Sequence, residues 1–461
     1  MVVDKSVAIR DIMNHERSVI VGLCPRRMGK SLFLGLLADF LAAVSRTPYG
    51  ERRAWYEEYA IYQEDPVFFN NNMGHYAVFK LDLKRLRVHR QYVSYVINAY
   101  DGLMNRRLNA ASMAGIGDLV PALMCVFFLL FKRKAVVVVD GCDAPFLNIL
   151  CGVEDLNLRT ELTKDYNRFL GKIFEGRRHL HKGILVGVFD VRSSSIESVF
   201  NNIATFFPHT RCTDRKPHPF QRAFGFTLQD VWAVIDRYVN RHWPARKRCT
   251  DVGRFKARVF AGLLLQSDGY RIGTVRWIFC PLAVMTFMGT LDLVATDKEL
   301  AFDNLRFWCA TGPLEMFRPI KTESVSGMER YLRHLVTEFD WQRELQRTSD
   351  TATRLWNGES LDDDEVARIA SRPWKRYKFG HGGNTDAELA RICTVDSSGL
   401  VDELLDGGRF SAVTAVQLFY QMGYLTPVSK YRMGIPSKEV FDDISEFHGR
   451  LLRQVGTGSN I

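Results

Sequence analysis

A chain of 461 residues has room for two or three domains, and 46% hydrophobic with 12% aromatic content can fill sizeable cores. The formal charge of +10 admits an acidic partner without demanding one. Nine scattered cysteines with no C-x-x-C pair argue against a disulfide framework or a zinc site, and for reduced thiols in a cytoplasmic or nuclear setting. The segment Met1 to Ala8 lacks the charged-then-apolar plan of a signal peptide, and the longest apolar run, Leu119 to Phe131, is too short to span a bilayer. That run is read as a buried core helix, and no membrane role is expected.

The first element in chain order is Ser18 to Leu23, an apolar run that reads as a buried strand. Cys24-Pro25-Arg26-Arg27-Met28-Gly29-Lys30-Ser31 follows, and then Leu32, Phe33, Leu36, Leu37, Phe40 and Leu41 recur at helical spacing. Strand, tight loop, Gly-Lys-Ser and helix form the context of a phosphate-binding P-loop. Unpaired N–H groups and the positive helix end attract phosphate, Lys30 adds a point charge, and Ser31 can ligate Mg²⁺. Pro25, Arg26, Arg27, Met28, Gly29, Lys30, Ser31 and Leu32 are therefore the predicted nucleotide-binding residues. One departure is plain: G-x-x-x-x-G-K-S opens on glycine, this chain has Cys24 there, and Gly22 stands two residues too early.

Tyr76 to Leu83 reads as a strand, and helices are expected from His89 to Leu108 and again from Leu119. Ala135 to Asp140 is a β-branched run too apolar to be half exposed, which suits a central parallel strand, and Gly183 to Phe189 reads as another. Such alternation implies a doubly wound α/β sheet with ligands at the carboxyl ends of its strands, the edge where Asp140 lies. Ser31 and Asp140 form the predicted Mg²⁺ pair. Beyond residue 215 helical patterns dominate, at Leu228 to Val239, Phe255 to Leu265 and Met328 to Leu345, and Gly358 to Glu365 reads as a charged loop leading into a helix. Basic clusters stand at Lys84 to Arg87, Arg177 to Lys182 and Arg241 to Arg248, and set out an alternative reading as a nucleic-acid-binding face.

Several segments resemble, in order, the AAA-ATPase-like proteins of the P-loop superfamily that often carry a C-terminal PD-(D/E)XK nuclease domain. Asp4-Lys5-Ser6 looks like the family's opening motif, and Pro25 to Ser31 is similar to its Pro-Arg-Arg-Phe-Gly-Lys-Ser/Thr loop. Val139-Asp140-Gly141-Cys142-Asp143-Ala144-Pro145 resembles Ile-Asp-Glu-Tyr-Asp-Thr-Pro, and Asn201-Asn202 falls where the family has paired asparagines. Phe224-Gly225-Phe226-Thr227, Asp268-Gly269-Tyr270-Arg271, Gly423-Tyr424-Leu425-Thr426 and Ile435 to Val440 complete the series. The resemblance implies an ASCE-type P-loop core over residues 1–215, a helical lid region over 216–345, and a helical, winged-helix-like region over 346–461. It also implies that the nuclease domain is lacking.

The departures bear on mechanism. In the resembling proteins the residue after the magnesium-side aspartate is a glutamate that polarises water; here it is Gly141, which has no side chain to act as a base. Asp143 is the nearby carboxylate able to substitute, its other role being to hydrogen-bond loop amides ahead of Pro145. Asp190 stands where the family tends to have a polar or basic residue near the γ-phosphate, and Arg192 is its neighbouring replacement. The expected function is an ATP- and Mg²⁺-binding, nucleotide-dependent switch with weak or degenerate hydrolysis and an unidentified protein partner. A glutamate placed at 141 is expected to raise hydrolysis.

Overall fold

The computed structural model describes residues 3–85, 116–153, 155–175, 178–191, 203–210, 217–242, 252–267, 269–291, 398–405, 412–429 and 432–434, with residue 354 and scattered positions from 436 to 449. In chain order these form α1 (Val7–Met13), β1 (Val19–Leu23), α2 (Lys30–Leu41), α3 (Tyr49–Glu57), α4 (Ala60–Glu64), α5 (Pro66–Asn72) and β2 (Ala77–Asp82). A 3-10 turn over Leu83–Arg85 follows, then α6 (Ile116–Phe131), β3 (Ala135–Asp140), α7 (Ala144–Gly152), α8 (Leu156–Glu175), β4 (Leu180–Gly187) and β5 (Ile203–Phe206).

The five strands make one sheet in the order β2-β3-β4-β1-β5, and every neighbouring pair is parallel. All the carboxyl ends therefore share one edge. β1 lies between β4 and β5, so the chain leaving Leu23 emerges where successive connections turn to opposite sides, the position at which open α/β sheets bind ligands. β1 and β3 are buried at every residue, as their unbroken apolar runs require of strands covered on both faces. β2, at the sheet edge, alternates buried and more open positions instead.

α2 packs Phe33, Leu34, Leu37, Phe40 and Leu41 into the core, with Phe40 edge-on to Tyr56 at 5.2 Å and to Phe69 at 5.5 Å. Leu32 belongs to the opposite side and is 81% exposed. The expectation of a buried core helix from Leu119 is corrected by α6. Leu123 and Met124 are buried, but Val126, Leu129 and Phe131 are exposed. A helix lying against the margin of a sheet has one face to bury, and α6 spends it on contacts such as Phe127 against Phe79 at 5.3 Å. No helix among the described residues is long and apolar enough to cross a membrane.

Beyond the sheet lie α9 (Leu228–His242), α10 (Val252–Ser267), the hairpin β6 (Tyr270–Ile272) and β7 (Val275–Ile278), and α11 (Pro281–Thr290). α9, α10 and α11 build a second core around Val234, Phe260 and Phe287, with Trp232 stacked on Phe260 at 4.1 Å. α12 (Ser398–Leu405), α13 (Ala412–Met422) and the hairpin β8 (Thr426–Ser429) with β9 (Arg432–Gly434) follow. Phe419, Tyr424 and Leu425 join the apolar cluster of the sheet itself. The helices expected over His89 to Leu108 and Met328 to Leu345, and the loop over Gly358 to Glu365, lie outside the described residues.

Candidate functional site

The loop after β1 is shaped by two left-handed residues, Arg27 with φ 63° and Gly29 with φ 83°. That alternation turns successive N–H groups toward one concavity, and α2 starts at Lys30 with no side-chain cap to occupy its first amides. Lys30 is buried, and its Nζ donates to the carbonyl oxygens of Cys24 at 2.6 Å and Pro25 at 2.5 Å. Burial lowers its pKa, opposed by the nearby Asp143 and Asp140 charges. Cys24 causes no backbone strain, since its φ is not positive, and the residue is 2% exposed. Burial pushes that thiol up to about 12, so it is a neutral apolar group at the base of the loop.

The loop is clamped from outside. Gly225 N–H donates to Met28 O at 2.8 Å, and Cys280 Sγ lies 3.6 Å from Arg27 O. Gly225 has φ 73°, and a Cβ there would stand 2.0 Å from Ile278 Cγ2, so only glycine fits. Phe224 stacks on Phe220 at 5.3 Å and meets Phe33 of α2 edge-on at 6.0 Å. The Phe-Gly-Phe-Thr segment is thus the part that holds the phosphate loop in shape. Asp4-Lys5-Ser6 is also an anchor. Lys5 pairs with Asp230 at 2.6 Å, while Asp4 and Ser6 accept the N–H groups of Ala60 and Ile61. Tyr270 donates its hydroxyl to Gly423 O at 2.9 Å, and Tyr424 to Asp443 at 3.1 Å, so these motif residues join the two hairpins to the core.

Asp140 ends β3 at the sheet edge and is 4% exposed. The Lys84 ammonium donates to Asp140 Oδ2 at 2.7 Å and to Ser31 Oγ at 2.5 Å, which brings the predicted magnesium pair to one point. Asp140 Oδ1 is buried with no hydrogen-bond partner. A hydroxyl and a carboxylate converging on a single cation, with a spare carboxylate oxygen, fit an Mg²⁺ that keeps its water and phosphate ligands. Sequence reasoning counted Lys84 as part of a solvent-facing basic cluster and missed this role. Lys182, from the second basic cluster, also points inward, donating to His15 O at 2.6 Å and Arg17 O at 2.9 Å. Arg192, Asn201 and Asn202 lie outside the described residues.

Gly141 has φ 70°, and a Cβ built on it would lie 2.5 Å from Lys84 Cγ. The expectation that glutamate at 141 simply supplies a base is therefore corrected: the position is left-handed and roofed by the lysine stem. Asp143 is 4% exposed, and its Oδ2 accepts the Val188 N–H at 3.1 Å and the Phe189 N–H at 3.2 Å. Burial raises its pKa, with Lys30 and those amides pulling the other way. Asp190 is buried as well, and its N–H donates to Gln421 Oε1 of α13 at 2.9 Å.

A parallel sheet of order 2-3-4-1-5 with a Gly-Lys-Ser loop between β1 and α2, and an aspartate ending β3, defines the P-loop nucleotide-binding fold. Residues 1–197 match the family model described as Predicted AAA-ATPase, so this part of the chain is similar to AAA-ATPase-like proteins. Among solved structures the chain is similar to the ORC2 protein of Aeropyrum pernix in its ADPNP–ADP complexes. Identity is 10% and the TM-score 0.32, over 96% of this chain and 94% of that one. A likeness at that score says nothing of function. No curated protein matches the chain.

Proposed function

We propose that the chain binds ATP, and that its hydrolysis is weak, so that occupancy of the site rather than turnover carries the signal. The observation that supports this most directly is the position of Lys30. A buried ammonium held by the carbonyls of Cys24 and Pro25, at the uncapped start of α2, is ready to swing to a phosphate. Ser31 Oγ and Asp140 are the groups that would hold Mg²⁺, which when bound neutralises charge on the β- and γ-phosphates. Asp143 is the candidate catalytic carboxylate. Its Oδ2 is held by two backbone amides and little of it meets solvent, which supports slow rather than efficient activation of water.

The route from site to partner runs through the clamp. Met28 and Arg27 carry the loop's outer carbonyls to Gly225 and Cys280, so a loop that tightens on phosphate would pull on β7 and α11. A nucleic-acid-binding module with a vestigial P-loop is the competing function, and the inward-pointing Lys84 and Lys182 weaken its charge argument.

Titration calorimetry with ATP, on the wild type and on Lys30→Ala, tests the reading. The variant is expected to bind at least about tenfold more weakly, equivalent to about 1.4 kcal/mol. Equal affinities in the two proteins would sink the P-loop assignment.

A further inference from the structure

Lys84 is placed with more care than a surface lysine needs. Leu83 beside it is fully buried, and the Lys84 N–H donates to Asp82 Oδ1 at 3.2 Å, which fixes the turn after β2. Register pairs Asp82 with Asp140 across β2 and β3, so the turn opens next to the end of β3. The stem then crosses Gly141, where any side chain would meet Lys84 Cγ at 2.5 Å. Its ammonium ends on Asp140 Oδ2 and Ser31 Oγ together. Nothing else among the described residues donates to either of these side-chain atoms.

We propose that Lys84 is a tethered cation that takes the Mg²⁺ position of the nucleotide site, so that nucleotide binds without metal and Mg²⁺ enters only by displacing it. This rests on the nucleotide-binding reading above and names its regulation. The chemistry follows from charge and donor type. The ammonium offers three donors, of which two are used, leaving one for a phosphate oxygen. It compensates the Asp140 carboxylate, which would otherwise repel a triphosphate. A divalent ion cannot take the same two oxygens while the ammonium stays on them. Lys84 is also half-exposed at its side chain, so it has room to swing away when metal is in excess.

The test is nucleotide affinity, measured with ADP and with a non-hydrolysable ATP analogue. It is run in chelator and in excess Mg²⁺ on the wild type, Lys84→Met and Lys84→Gln. In the wild type the two conditions are expected to agree within about threefold. In both variants affinity in chelator should fall about tenfold or more, and Mg²⁺ should restore it. Mn²⁺ binding to the nucleotide complex, read by electron paramagnetic resonance, should be tighter in the variants than in the wild type. A wild type that gains tenfold or more from Mg²⁺, with Lys84 variants that behave as it does, would overturn the proposal while leaving nucleotide binding intact. A wild type that binds no nucleotide in either condition would overturn the nucleotide-binding reading instead. Thermal melting of the variants separates misfolding from either outcome, since a folded variant should keep one cooperative transition, lowered by no more than the loss of one half-exposed ion pair.

Discussion

Gly141→Glu puts back the carboxylate whose absence stood out in the sequence, and the structure says why that alone will not restore hydrolysis. A non-glycine residue at φ 70° costs about 1–2 kcal/mol. The new Cβ meets Lys84 Cγ at 2.5 Å and Cε at 3.2 Å, so the lysine must leave Asp140. That ion pair is half-exposed on the lysine side and adds no more than about 1 kcal/mol to the cost. The displaced ammonium then lies beside the introduced carboxylate, and the two will pair, leaving the glutamate a poor base. Urea unfolding should therefore show the single variant about 1–3 kcal/mol less stable than the wild type. Its phosphate release should stay within about tenfold of wild type, far short of the 10²–10⁴ that a positioned base supplies. Adding Lys84→Ala removes the competing cation, and the double variant should release phosphate at least about tenfold faster than Gly141→Glu. The two substitutions are thus non-additive, as contacting residues are. Equal rates in the single and double variants, or a single variant as stable as wild type, would refute the placement of Lys84 over Gly141.

Two further outcomes follow from the same geometry. Gly225→Ala should cost about 3 kcal/mol or more, combining a positive φ with a 2.0 Å approach to Ile278, and chemical denaturation would check it; a loss under about 1 kcal/mol would mean the clamp is loosely packed. His218 is 1% exposed and its Nδ1 accepts the Phe220 N–H at 3.2 Å, leaving Nε2 to donate to Phe207 O at 3.0 Å, so only the neutral ring fits. Burial lowers its pKa from 6.5 to about 4. The unfolded chain therefore binds the proton more readily, and stability should be full above pH 6.5 and lost as pH falls toward 4, by about 3 kcal/mol in all. Denaturation across that window, on the wild type and His218→Gln, should show a steeper fall for the wild type; parallel curves would remove His218 as the cause.

Much of the architecture was legible because its signals are local. Val19 to Leu23 and Ala135 to Val139 are unbroken apolar runs, as strands buried on both faces require. The loop and helix from Cys24 to Leu41 lie within one stretch of chain, so Gly29, Lys30 and the apolar face of α2 could be read together. Asp140 was legible for the same reason, as the last residue of its strand. The helix from Leu119 was read too simply, since a fully apolar run does not say how much of it a sheet margin can cover.

What the sequence marked by itself was four strands of the sheet and the Gly-Lys-Ser loop with the helix that follows it, because hydrophobic period and Gly-Lys-Ser act over a few residues; β5 and the β6–β7 hairpin are short and carry no such signal. The tertiary structure alone decided what surrounds that loop. Lys84 meets Ser31 across 53 residues and Asp140 across 56, and Lys182 finds His15 O across 167. A lysine in a sequence reads as surface charge, and only the parallel register that sets Asp82 beside Asp140 aims this one inward. Gly141 likewise looked like a missing side chain. Its left-handed backbone under the lysine stem makes it the residue that leaves Lys84 room to reach the site.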